Sequence, residues 1–311
     1  MPTDPFADPL FVPTAIRVVA LMGVAGLLLV IIQRGRGIRD SPLFRKLFSW
    51  AIMAPTFTIG VLSGGVVSFA LVVFMSIQSL REFGRIVALR ASYSAALIGY
   101  AVVALAVTAY FGARFFLFMP LGFFGVATII PLLRLSKPGR EPRAELMQSS
   151  ATVLGYFWIA LFLSFFVLIG RTEPDGRSIL LLFGFAIALS DIAAFTFGSI
   201  LRGSRLSPLV SPNKTWSGVV GNLVGPYLAF WLMSFAIPVQ WSLATRWILP
   251  AVLGIGAVWG DLVESLVKRA FATKDAGDIL PGFGGLLDRI DSLLVAMPLG
   301  YYAMKILIFA S

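Results

Sequence analysis

Ten long apolar stretches run through this chain, at about 17–33, 47–63, 64–84, 94–112, 115–134, 150–170, 178–201, 218–237, 245–268 and 292–310. Each is close to the roughly 20 residues an α-helix needs to cross a bilayer. Backbone inside hydrocarbon must satisfy its own N–H and C=O groups, so the stretches read as helices. The expected fold is all-α: a polytopic integral membrane protein with about ten transmembrane helices. A composition of 58% hydrophobic and 13% charged residues excludes an ordinary soluble domain. The division within 47–84 rests on Ser63, Gly64 and Gly65 forming a tight turn. One uninterrupted helix there would leave nine spans and reverse the orientation of everything after it.

Charge placement decides between the two counts. Lys and Arg total 25 against 15 Asp and Glu, a net charge of +10. In a soluble chain that balance would point to nucleic acid, whereas in a membrane protein it marks cytoplasmic loops. With ten spans and the N-terminus outside, the inner loops hold Arg34, Arg36, Arg39, Arg45, Lys46, Arg81, Arg85, Arg90, Arg134, Lys137, Arg140, Arg143, Arg202, Arg205, Lys214, Lys268, Arg269, Lys274 and Arg289. Only Arg17, Arg114, Arg171, Arg177, Arg246 and Lys305 fall outside. The partner this basicity implies is the lipid bilayer, and no nucleic acid is expected. Asp4 and Asp8 precede Arg17 without any Lys or Arg, so the basic region of a signal peptide is missing and the first span is expected to be retained.

The chain has no Cys and no His. Disulfides, thiolate or imidazole metal sites and His-based acid–base catalysis are therefore excluded. What chemistry there is must come from carboxylates, cations, hydroxyls and backbone.

Those groups concentrate late in the sequence, which divides it into an N-terminal transmembrane scaffold (1–180) and a C-terminal transmembrane catalytic region (181–311). Asp191 lies inside the seventh apolar stretch, and an ionisable residue at membrane depth is costly enough to mark a functional candidate. Ser211 followed by Pro212 reads as a helix N-cap with proline in the first turn, which would set free amides beside Asn213, Lys214 and Thr215 and suit a phosphate. An ordinary helix start with Trp216 in the interfacial belt is the competing reading. Asp261, Ser265 and Lys268 recur at i, i+4, i+7 and share a helix face at the inner end of the ninth span. Asp288 and Asp291 share another at the start of the tenth. Between them lie Arg269, Lys274, Asp275, a glycine-rich turn with Gly284 and Gly285, and Arg289. A hard divalent cation takes one or two carboxylates plus substrate phosphates, and the cations would neutralise what phosphate charge is left.

These residues resemble the phosphatidate cytidylyltransferase (CDP-diacylglycerol synthase) family. Its signature reads here as Ser265, Lys268, Arg269, Lys274, Asp275, Gly277, Pro281, Gly284, Gly285, Asp288, Arg289 and Asp291, with Phe283 where the family has histidine. Ser211 to Trp216 and Asp191 to Gly198 resemble two further family segments, with Ser217 in place of an acid and Phe195 in place of tyrosine. The resemblance covers about residues 185–300.

It implies transfer of CMP from CTP to phosphatidate, giving CDP-diacylglycerol and pyrophosphate, in a bacterial cytoplasmic membrane with the site facing the cytoplasm. It further implies a magnesium centre on Asp261, Asp288 and Asp291, with a second cation such as potassium left open. Lys268 joins these acids as a catalytic residue, and Asp191, Ser211, Asn213, Lys214, Thr215, Ser265, Arg269, Lys274, Asp275, Gly284, Gly285 and Arg289 line the substrates. Members of the family are often homodimers. A CTP-dependent lipid kinase, a cytidylyltransferase for another lipid phosphate, a weakened homologue and a secondary transporter are the alternatives.

Overall fold

A computed structural model describes residues 4–33, 42–114, 116, 118–136, 139–172, 174–273, 276–277 and 284–309. Each of the ten apolar stretches falls on a helix. These are α1 (Phe11–Gln33), α2 (Pro42–Leu62), α3 (Gly65–Ile86), α4 (Ala91–Phe111), α5 (Phe118–Leu135), α6 (Pro142–Gly155) continued by α7 (Phe162–Gly170), α8 (Gly176–Ile200), α9 (Trp216–Leu232), α10 (Leu243–Ala270) and α11 (Leu287–Phe309). α6 and α7 join through a wide helical turn, Tyr156–Leu161. Seven of these rods are long and apolar enough to cross a membrane. α9 is a 17-residue helix.

The turn expected at residues 63–65 is present. Gly64 and Gly65 have φ of 56° and 46°, a left-handed backbone that glycine adopts without a steric penalty, so α2 ends and α3 starts within three residues. The sixth rod begins at Pro142, earlier than the apolar window at 150. Its first turns are held by Glu145, which is fully buried, accepts from the Tyr93 hydroxyl at 2.8 Å and pairs with Arg134 at 3.0 Å and with Arg90. A polar stretch that resembles loop is thereby fixed as helix.

Among the described residues the all-α expectation is met except for one hairpin, β1 (Arg205–Ser207) with β2 (Ser211–Thr215), between α8 and α9. Lipid offers helices no hydrophobic drive to associate, so close approach needs small residues. Gly221 and Gly225 supply this on α9, where a Cβ would collide with the Ala193 and Leu189 carbonyls of α8. Aromatic contacts fasten α7 on both sides, Phe166 to Phe57 of α2 at 6.0 Å and Phe165 to Tyr301 of α11 at 5.4 Å between ring centroids.

Polar links bunch at two ends of the bundle. At one, Arg177 pairs with Asp8 at 2.6 Å and Arg17 donates to the Leu232 carbonyl at 2.6 Å. These residues come from the starts of α1 and α8 and the end of α9. The opposite end gathers the hairpin, the end of α10 and the start of α11.

Candidate active site

The hairpin departs from its sequence reading. Ser211 is not an N-cap: it lies on β2 opposite Ser207. The cap is Thr215, whose Oγ1 accepts from the Gly218 amide at 3.2 Å before α9 begins at Trp216. Ser211 and Pro212 can sit in extended backbone because β1 supplies a pairing partner and Pro212 is on an exposed two-stranded edge. The hairpin is tied to α10 twice, by the ion pair of Lys214 with Asp261 and by Arg269 Nε donating to the Val210 carbonyl at 3.3 Å. Asn213 is exposed and Ser211 half-buried on this hairpin.

The acids meet where α10 crosses α11. A Cβ at Gly260 would run into the Asp291 carbonyl, so only glycine lets the two backbones come this close. One oxygen each of Asp261, Glu264 and Asp291 then lies within 4.8 Å of the others. Glu264 is 2% and Asp291 6% exposed. Ser265 Oγ donates to Asp261 at 3.4 Å, and the Ser292 amide donates to Asp291 at 2.7 Å. Ser292 Oγ reaches Asp191 at 3.2 Å, which brings that α8 carboxylate to the edge of the cluster. Lys268 Nζ donates to Glu264 Oε2 at 2.7 Å and to Asp288 Oδ1 at 2.9 Å. Glu264 Oε1 has no hydrogen-bond partner among the described residues.

Asp288 adjoins this cluster, sharing Lys268 with Glu264. Besides Lys268 it accepts from the Ala276 amide at 3.0 Å and the Gly285 amide at 2.7 Å, which ties residues 276 and 285 to the first turn of α11. Gly284 has φ of 80°, and a Cβ there would press on the Asp288 carboxylate. Arg289 is half-buried in the first turn of α11. Lys274, Asp275 and Phe283 lie outside the described residues.

Two carboxylates here escaped the sequence reading. Glu264 is three residues after Asp261 and so on the same helix face, a signal that was available. Glu82 of α3 accepts from the Leu286 and Leu287 amides across more than 200 residues of sequence, for which no local pattern exists.

Clustered carboxylates faced by cations, at one end of a helical membrane bundle, are what a polyphosphate substrate with a divalent cation requires. Residues 44–307 match the model of the cytidylyltransferase family, and the chain belongs to that family. A protein of Brucella suis biovar 1 named phosphatidate cytidylyltransferase is 38% identical over 187 residues, 59% of this chain and 64% of its own length. Proteins of the same name from Mycobacterium leprae and Staphylococcus haemolyticus are 36% identical over 165 residues (52% and 51%) and 32% over 157 (50% and 59%). The chain thus spans about half to two thirds of the length of these curated relatives.

Proposed function

We propose that this protein transfers CMP from CTP to phosphatidate, forming CDP-diacylglycerol and pyrophosphate. The observation that carries the reading is the convergence of Asp261, Glu264 and Asp291, two of them buried, beside Lys268 and Lys214. A phosphatidate phosphate oxygen attacks the α-phosphorus of CTP, a new P–O bond forms, and the bond to the β-phosphate breaks with its electron pair leaving on pyrophosphate. The nucleophile is already an anion, so the step needs no general base. The task of the protein is charge neutralisation and in-line positioning, which suits a chain without histidine.

The donor set fits a hard divalent cation, because it consists of carboxylate oxygens and includes the unpartnered Glu264 Oε1. Asp261, Glu264 and Asp291 would hold magnesium, which when bound neutralises charge on the nucleotide phosphates. Asp288, included with the metal ligands on the family resemblance, is assigned instead to holding the loop. Lys268 keeps Glu264 and Asp288 at fixed separation. Lys214, Arg269, Lys274 and Arg289 bind phosphates, with Ser265 and Asn213. Residues 181–311 form the catalytic region and 1–180 the scaffold around it. All ten rods cross a bacterial cytoplasmic membrane, the N-terminus is outside, and the site opens to the cytoplasm, where CTP is found.

Purified protein supplied with phosphatidate and CTP labelled at the α-phosphate is expected to place label in the lipid fraction, and γ-labelled CTP to place none there. Lipid labelled from the γ-position would establish a kinase, and substrate flux into proteoliposomes without nucleotide consumption would establish a transporter.

A further inference from the structure

Glu82 lies on α3, far in sequence from every group assigned to the chemistry, and is fully buried. Its Oε1 accepts from the Leu286 amide at 3.0 Å and from Gln78 Nε2 at 2.7 Å, and its Oε2 accepts from the Leu287 amide at 2.7 Å. α11 begins at Leu287, so these are the orphan amides of a helix start, where the dipole favours a negative charge. The cap comes from another helix of the bundle. Two glycines of the loop make room for it: a Cβ at Gly277 would stand 3.1 Å from Glu82 Oε1, and one at Gly285 would collide with Oε2.

The same loop is gripped from its other side by Asp288, through the Ala276 and Gly285 amides, and Asp288 is joined by Lys268 to Glu264. A continuous line of polar contacts therefore runs from α3 through the loop to the acid cluster.

We infer that Glu82 is a positioning residue for the reaction: it fixes residues 285–287 at the start of α11, with Gly277 packed against it, and through them the nucleotide-binding face of the site. This rests on the cytidylyltransferase reading and deepens it, because a residue of the scaffold half becomes part of the machinery. Glu82 is sealed from solvent and acts through these backbone amides. Its effect is on the place of Asp288 and the loop amides, so it acts on CTP binding more than on the lipid.

The test compares full-length wild type with Glu82→Gln, Gln78→Ala and Glu145→Gln in mild detergent, by two measurements. Hydrogen exchange without substrates is expected to show at least one of the Leu286 and Leu287 amides exchanging at least about ten-fold faster in Glu82→Gln, since one amide then loses its acceptor. Steady-state assays are expected to show KM for CTP raised at least about ten-fold, with KM for phosphatidate within about two-fold of wild type. Glu145→Gln removes a buried carboxylate away from the loop and should move neither readout. Gln78→Ala removes one donor to Glu82 and gives both changes at smaller amplitude, which keeps the test decisive if Glu82→Gln does not fold. Wild-type exchange at 286 and 287 with an unchanged KM for CTP, in whichever of the two variants folds, would overturn the inference. Absence of CTP turnover in the wild type would count against the cytidylyltransferase reading alone, and the exchange arm would still decide whether Glu82 holds the loop.

Discussion

Glu264 Oε1 is a buried carboxylate oxygen without a partner among the described residues, and such a group costs more than the roughly 1–3 kcal/mol of an unsatisfied neutral one. A bound cation would remove that cost, so we predict that magnesium raises the unfolding midpoint of the wild type in detergent and leaves Glu264→Gln unmoved. Asp291→Asn keeps shape and removes a ligand. It is expected to lower kcat by roughly 10²–10³-fold, the range for losing one preorganised electrostatic contact, while the protein unfolds near the wild-type midpoint. Wild-type turnover in that variant would remove Asp291 from the centre. The sequence made Asp261, Asp288 and Asp291 visible because each stands at the end of an apolar stretch. Glu264 is legible too, since its i+3 relation to Asp261 puts it on the same helix face. Glu82 was not legible, since its partners are brought to it only by the packed bundle.

At the scale of elements, the site depends on how closely α10 and α11 approach. Gly260→Ala forces a methyl group against the Asp291 carbonyl, and overpacking of this kind costs about 1–3 kcal/mol. The expected outcome is a lower unfolding midpoint together with loss of turnover, because the carboxylates separate. Thr215→Ala should cost about 1 kcal/mol through its lost cap on α9, measured by unfolding in graded denaturing detergent. Glu145→Ala strips the partner from the partly exposed Arg90 and Arg134, for which a loss of about 1 kcal/mol is expected. Turnover per folded molecule should be unchanged. The hairpin shows why local signals can mislead. Ser-Pro before an apolar run has the chemistry of a helix start, and only the pairing of Ser211 with Ser207 makes it a strand.

For the molecule as a whole, the long apolar rods and the turn at Gly64 and Gly65 could be read from sequence because bilayer thickness fixes element length. Their arrangement could not, because apolar surfaces facing lipid and facing other helices look alike. Asp8, Arg17 and Arg177 gather at one end of the bundle, and Lys214, Arg269 and Asp288 at the other, and the orientation proposed from loop charge makes the second end the cytoplasmic one. Reporter fusions after Arg143 and after Arg205 should therefore both report a cytoplasmic position, and one after Arg171 an external position. The reverse pattern would overturn the orientation. On the proposed mechanism, α10 and α11 would hold a divalent cation between Asp261, Glu264 and Asp291. Anomalous diffraction from crystals grown with manganese and CTP tests it most directly. A peak within ligand distance of those three carboxylates is the predicted result, and a peak held by Asp288 away from Glu264, or none in the site, would contradict it.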